Sequence, residues 1–288
     1  MKIFKYLIES FFIYLFFILI KLTSLNIGRK IFSNIFRKIG PIIRSKSIAN
    51  KNISLALKID DKNKREDIIS KMWSNYGMVF VEYLHLYKLK KQKQHIEIKG
   101  KEIVEKIKKN KRPVIFISGH FANFELMSME INRMGINLAT IYRPLNNIFI
   151  NPIMEYIRRK HVCGNQIKKG RFGTREIIDY LKKDFSIALM VDQRVSEGKK
   201  IPFFNRNALT TTLPAQIALK YKLDIVPVYI KRTKNNNFQM ELFQPIECRY
   251  LEESEEEKIN ITLKLNRFLE EMILKDPGQW IWTHNRWK

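Results

Sequence analysis

The sequence predicts an α/β domain, a mixed sheet flanked by helices, preceded by an N-terminal membrane-anchor helix. Three observations carry this prediction. Short apolar runs at 114–117, 138–142, 186–191 and 225–230 are of the kind that form strands buried on both faces. Segments with helical periodicity stand between them. Polar residues follow directly on the ends of the runs, where open α/β sheets place their ligands.

The first 25 residues hold an uninterrupted apolar run from Phe11 to Ile20, preceded by Lys2 and Lys5. No small-residue cleavage site follows, so the segment is read as a retained anchor rather than a signal peptide. Residues 6–25 provide the roughly 20 positions that a span requires. A spanning helix and a half-inserted one both fit. Residues 26–51 form a basic amphipathic segment. Ile27, Ile31, Ile35, Ile39, Phe32 and Phe36 fill one half of the helical wheel, and Arg29, Lys30, Ser33, Asn34, Arg37 and Lys38 the other. That pattern suits a membrane interface. Positive charge after the anchor places the remaining domain, 52–288, on the cytoplasmic side.

Within that domain, residues 60–91 read as one helix and 96–98 as a short strand before a basic helix at 103–109. A helix starts at Pro152, and another covers 175–182. Pro202-Phe203-Phe204 and residues 209–214 read as a loop before a helix that runs through Leu219. Residues 238–243 are the antiparallel partner of 225–230. A long helix at 252–274 starts acidic and ends on Lys275, in line with its dipole. The Trp-rich tail from Trp280 packs on the core or meets a membrane interface.

The 53 Lys and Arg residues against 28 Asp and Glu give a formal charge of +25, which selects acidic partners: nucleic acid, anionic lipid or an acidic protein. There is no G-x-G-x-x-G and no Walker A motif, so nothing supports a nucleotide cofactor. The two cysteines, Cys163 and Cys248, lack metal-site or disulfide spacing and are read as packing residues. No metal site is expected.

The chemistry concentrates at 113–135, which reads as strand, tight turn and helix. His120 sits at the turn and Glu125 in the first turn of the helix, within reach of the imidazole. This pairs a candidate base with a candidate orienter. Arg143 ends the strand at 138–142, and Asp192-Gln193-Arg194 ends the strand at 186–191. Arg158, Arg159, Lys160, Lys168, Lys169 and Arg171 follow in chain order and suggest a cradle for phosphate or an acidic sugar. A solvated basic face would give the same composition.

Taken together, these pieces resemble the late acyltransferases of lipid A biosynthesis, of the lauroyl/myristoyl type. The resemblance rests on His120 to Glu125 as H-x-x-x-x-E, Tyr142-Arg143-Pro144 with Asn146-Asn147, Asn151-Pro152 with Arg158, and Asp192-Gln193. It rests also on Pro202-Phe203-Phe204 with Thr210 to Ala215, and on the closing Gln279 to Arg286. The motif H-x-x-x-x-E alone is weak, whereas the ordered set runs along nearly the whole chain. The resemblance implies an α/β fold like that of the glycerol-3-phosphate acyltransferases. It implies transfer of a lauroyl-type chain from acyl carrier protein to a hydroxyl of a 3-hydroxyacyl chain on a Kdo-bearing lipid A precursor, at the cytoplasmic face of the inner membrane. It further implies that His120 and Glu125 are catalytic and that Arg143, Arg158, Asp192 and Gln193 bind substrate. Ile148-Phe149-Ile150, inserted relative to many members, leaves both Arg158 and Arg159 as candidates for one position. A thioester donor is already activated, so no cofactor is expected. With no cysteine near the motif, direct transfer is expected. An acyltransferase with another membrane lipid acceptor is one alternative. A membrane-tethered nucleic-acid-binding protein is another, disfavoured by the polar strand ends.

Overall fold

A computed structural model describes residues 2–44 and 46–288, the side chains of Lys93, Arg171 and Phe172 excepted. Met1 and Ser45, in the expected anchor and interfacial segments, lie outside the described residues, as does the side chain of Arg171, expected in the basic cradle. Five helices come first: α1 (Lys2–Lys21), α2 (Leu25–Ile43), α3 (Lys46–Leu57), α4 (Lys62–Leu84) and α5 (Leu86–Lys91). The α/β portion follows as β1 (Ile96–Lys99), α6 (Lys101–Asn110), β2 (Ile115–Ser118), α7 (Glu125–Arg133), β3 (Leu138–Tyr142), α8 (Asn151–Ile157), β4 (Asn165–Lys168), α9 (Arg171–Leu181) and β5 (Ser186–Met190). It closes with β6 (Lys199–Phe203), β7 (Arg206–Thr210), α10 (Leu213–Tyr221), β8 (Ile225–Arg232), β9 (Phe238–Leu242) and α11 (Glu255–Lys275).

Seven strands form one sheet in the order β1-β9-β8-β2-β5-β3-β4. From β8 to β4 all neighbours are parallel, whereas β9 runs antiparallel to β8 and β1 parallel to β9. The sheet is therefore mixed and parallel-dominated, with helices on both faces, as the sequence predicts. Strand β2 is central and buried throughout. Its alternation divides the core: Ile115 and Ile117 join the side built from α9, α10 and α11, and Phe116 the side built from α5, α6 and α7. Both cysteines are buried and free.

Several elements differ from expectation. The helix expected over 60–91 breaks at His85 into α4 and α5, where the ring nitrogen Nδ1 lies 3.1 Å from the Val81 carbonyl. Strand β4 was not foreseen, because Asn165-Gln166-Ile167-Lys168 lacks an apolar run and forms only the sheet edge. The loop expected around Pro202 is the hairpin β6–β7. Phe204 and Asn205 turn it with φ of 51° and 58°, both in the left-handed region, so the Asn-Gly signature of such turns is missing. Its stabilising contacts are distant in sequence. Asn266 and Arg286 bond the Pro202 and Leu209 carbonyls, and Trp287 the Phe203 carbonyl. The Trp-rich tail thus packs on the core, with Trp280 and Trp282 essentially inaccessible.

Helix α2 is amphipathic, and the face it packs on the domain draws on both halves of the wheel, with Phe32 buried. Arg29 and Ser33, from the polar half, are buried, while Ile27 and Ile31, from the apolar half, are exposed. Glycines set the contact. A Cβ on Gly77 of α4 would fall 2.2 Å from the Phe32 carbonyl oxygen, and one on Gly40 of α2 an equal distance from the Trp73 ring. A count of hydrophobic residues does not register such close approach.

The helix pair is tied to the sheet by buried charge. Glu82 accepts from Arg29 Nε at 2.6 Å and from Arg232 of β8 through both terminal guanidinium nitrogens, the longer contact being 3.0 Å. Asn123, next to the start of α7, donates to Glu82 Oε2 at 3.0 Å, and Arg232 Nε donates to Asn75 at 3.1 Å. Burial opposes ionisation of Glu82, but the two guanidinium groups outweigh it and hold its pKa below the ordinary carboxylate value. Removing one member leaves the others charged and unpaired in a dry interior. We therefore expect Glu82→Ala to lower stability by about 3–5 kcal/mol, measured by denaturant unfolding. Arg37→Ala, which breaks a part-buried bond to Ser74, is expected to cost less than about 1.5 kcal/mol.

Candidate active site

The site lies at the carboxyl ends of adjacent strands, β2 and β5. Strand β2 delivers Gly119 and His120, and β5 delivers Val191 and Asp192. Parallel pairing brings the two ends together, since Ser118 is paired with Met190 and Val191 N–H bonds the Ser118 carbonyl at 2.9 Å.

Asp192 is fully buried in its side chain and makes three bonds. Its Oδ1 lies 2.7 Å from His120 Nδ1, and its Oδ2 accepts the His120 backbone N–H and the Trp280 Nε1–H, both at 2.9 Å. A carboxylate only accepts, so in the neutral ring the His120 proton sits on Nδ1 and Nε2 keeps its lone pair. The His120 side chain is 20% exposed, enough for a substrate hydroxyl to reach it. Phe124 packs edge-on against the ring, centroids 4.6 Å apart. Burial works against the charged imidazole, but the Asp192 carboxylate outweighs it and raises the His120 pKa above its ordinary value. Burial likewise opposes the charge on Asp192, yet His120 and the donated hydrogen bonds hold its pKa down to about 2.

The turn after His120 is strained and externally held. Ala122 has φ of 43°, unusual for a residue with a Cβ. Its N–H donates to the Gln279 carbonyl at 3.0 Å and its carbonyl accepts from Asn75 at 3.2 Å. Gln279 is in turn fixed by two bonds to the Arg232 backbone. Strain of this kind, imposed by surroundings, is typical of working sites. Phe121 N–H donates to the Gly119 carbonyl, so neither it nor the Ala122 N–H is free to bind an oxyanion.

Glu125 is not the residue that orients His120. It begins α7 but binds Arg158, accepting from both Nε and the terminal nitrogen at 2.7 Å. Arg158 opens a single wide turn, residues 158–162, that ends α8 and closes from the Cys163 N–H to the Arg158 carbonyl. Its guanidinium lies over the Tyr83 and Tyr142 rings at 5.8 and 5.6 Å. Burial opposes its charge, but Glu125 and the phenolic oxygens hold the pKa above the ordinary value. Arg159 is exposed, so the two arginine candidates are distinct in setting. Arg143 is exposed at the end of β3, and Gln193 is half-buried beyond Asp192. The sequence missed Trp280 as a partner of Asp192. The acid was visible at a strand end, but nothing local ties it to an indole 88 residues away. Among the described residues, no group of His, Cys, Asp and Glu side chains could hold a metal ion.

The ends of two parallel strands thus bring a buried acid, Asp192, against the ring of His120 in an α/β protein. The full length, residues 1–288, matches the family described as bacterial lipid A biosynthesis acyltransferase, and the chain belongs to that family. It is 24% identical over 254 residues to the lipid A biosynthesis palmitoleoyltransferase of Escherichia coli (strain K12), covering 85% of this chain and 79% of that protein. It is 22% identical over 251 residues to the lipid A biosynthesis lauroyltransferase of the same organism, with 85% and 79% covered. A lipid A biosynthesis acyltransferase of Haemophilus influenzae is 24% identical over 258 residues, with 85% and 78% covered. The protein is thus an acyltransferase of lipid A biosynthesis.

The pair of opposed pKa shifts gives a direct check. In Asp192→Asn the imidazole loses its main charge partner, so its pKa should fall below the wild-type value. Titration of the His120 ring protons by NMR reads this shift. Glu125→Gln, which removes a weaker influence, should lower it less.

Proposed function

We propose that this enzyme transfers a lauroyl-type chain from an acyl carrier protein thioester to a hydroxyl of a 3-hydroxyacyl chain on a Kdo-bearing lipid A precursor. The observation that carries the proposal is the Asp192–His120 pair, with the ring's second nitrogen open to substrate. His120 Nε2 takes the proton of the acceptor hydroxyl as its oxygen attacks the thioester carbonyl. A C–O bond forms and the carbonyl becomes an oxyanion. When the carbonyl reforms, the C–S bond breaks and the departing thiolate takes the proton from Nε2. Asp192 keeps the ring in the required tautomer and stabilises the imidazolium, which gives this acid a larger part than substrate binding.

Glu125 and Arg158 act beside the ring as a charged pair whose position the two tyrosines fix. The exposed Arg143 and the half-buried Gln193 are suited to the polar part of the lipid acceptor, which is anionic. The formal +25 suits both this acceptor and an acidic carrier protein, and predicts salt-sensitive binding. Helix α1 is long and apolar enough to meet a bilayer. With the basic segment 26–51 it supports attachment to the cytoplasmic face of the inner membrane, the domain 52–288 carrying the chemistry. The fold reading is a glycerol-3-phosphate-acyltransferase-like sheet. The relatives include both a lauroyltransferase and a palmitoleoyltransferase, so acyl chain length is read directly in the test below.

The test is turnover of acyl carrier protein thioesters of graded length with Kdo-lipid A precursor, products read by mass spectrometry. His120→Ala and Asp192→Asn should each lose roughly 10²–10⁴-fold in kcat while remaining folded. Because the base must be neutral, kcat/KM should rise with pH through the raised His120 pKa, and Asp192→Asn should move that limb to lower pH. Full activity in His120→Ala would remove the ring from this role. Turnover only with another lipid acceptor would replace the precursor while keeping the chemistry.

A further inference from the structure

Helix α1 is attached to the domain along its length rather than at one end. Ser10 Oγ lies 3.0 Å from Asn147 Oδ1, and Asn147 Nδ2 donates to the Tyr6 carbonyl at 2.9 Å. Tyr14 OH donates to the Phe149 carbonyl at 2.7 Å. Further on, Phe17 packs on Phe80 of α4, ring centroids 5.6 Å apart, and Ile20 is completely buried. The contacts from Tyr6 to Ile20 cover about 21 Å of helix at its usual rise, most of the roughly 30 Å thickness of a hydrocarbon core.

The helix is also two-sided. Tyr6, Ser10, Ile13, Phe17 and Ile20 recur every three or four residues and form the packed stripe. At 100° per residue, Phe4, Leu7, Phe11, Leu15, Ile18 and Leu22 fall on the opposite side, and all six are exposed. The charged residues inside the helix, Lys5 and Glu9, lie away from that apolar side. Ile27 and Ile31 of α2, which follows α1 directly in the chain, are exposed as well, and Ile148 beside the Asn147 clamp is 58% exposed. Over residues 1–59 the chain has eleven Lys and Arg and a single acid, Glu9, which complements an anionic membrane surface.

A helix crossing the bilayer would draw residues 145–150 and Phe80 of α4 into hydrocarbon with it. The 145–150 segment is irregular backbone, which lipid does not tolerate. We propose that α1 does not cross the membrane. It lies in the plane of one leaflet, its apolar side in the acyl chains, and α2 and residues 145–150 complete the same lipid-facing surface. Both ends of α1 then remain on one side. Residues 145–150 connect Arg143 to α8 and Arg158, so the lipid-facing surface borders the site and an acceptor lipid reaches it within the leaflet. This rests on the membrane attachment proposed above.

The test uses the full chain with one cysteine introduced at Phe4, Phe11 or Ile18, the native Cys163 and Cys248 being buried, spin-labelled and bound to vesicles of zwitterionic and anionic phospholipid. Depth is read from collisions with lipid-soluble and water-soluble relaxants. An in-plane helix puts the three labels at one depth. A crossing helix puts Phe11 deepest, with the other two about 10 Å shallower, and that profile overturns the proposal. Labels that all remain in water overturn both this proposal and the membrane attachment. In cells, Lys2→Cys and Lys21→Cys should react with an impermeant maleimide only after the inner membrane is opened. Reaction of either one in intact spheroplasts contradicts the in-plane arrangement. Acyl transfer by the same variants is measured in parallel, so loss of chemistry and loss of topology are read separately.

Discussion

The contact between Asp192 and His120 is the constraint on which the rest of the site depends. One buried carboxylate accepts the ring Nδ1–H, the backbone N–H of the same residue and the indole of Trp280. Two of these bonds fix one histidine at both its ring and its main chain, and the third fixes the acid. The histidine is therefore held in place before any substrate arrives, which is the condition for a base to act without reorganisation. The depressed pKa of Asp192, about 2, and the raised pKa of His120 describe the same attraction from its two partners. The sign follows directly. The acid's contribution to stability is complete above its ordinary pKa and is lost as the pH falls towards 2. The ring's contribution is present below its ordinary pKa and is lost as the pH rises through the raised value.

The remaining buried charge serves this contact from behind. The strained turn at Ala122 is pinned by Asn75 and by the main chain at Gln279. Those two residues are held by Arg232, and Arg232 by Glu82. Arg29 brings α2 into the same cluster. Helices α2 and α4 are thus connected through Arg232, Asn75 and Gln279 to the turn that carries His120. A buried ion cluster is not itself a large source of stability, since desolvation cancels much of its attraction. Its effect here is geometric: it ties α2, α4, β8 and the His120 turn to one another.

Much of this was legible in the chain. The buried strands β2, β3, β5 and β8 declare themselves as apolar runs, and the polar residues at the ends of β2 and β5 mark the site. The partner of His120 was misassigned because proximity in sequence favoured Glu125, five residues on, whereas parallel pairing of β2 with β5 brings Asp192 closer. No periodicity reveals such pairing. The close packing of α2 on α4 was not legible, because Gly28, Gly40 and Gly77 make the contact and small residues carry no hydrophobic signal. The β6–β7 hairpin was missed because Phe204 and Asn205 adopt left-handed backbone without a glycine, under tertiary contacts from α11 and the tail.

The central claim is that Asp192 imposes one tautomer on the neutral ring of His120. Nitrogen-15 NMR of the ring-labelled enzyme, at a pH above the His120 pKa, reads this directly. The account predicts a protonated Nδ1 and an unprotonated Nε2 in the free enzyme. A resonance pattern with the proton on Nε2 would contradict it, because that nitrogen could not then accept a hydrogen from the acceptor alcohol.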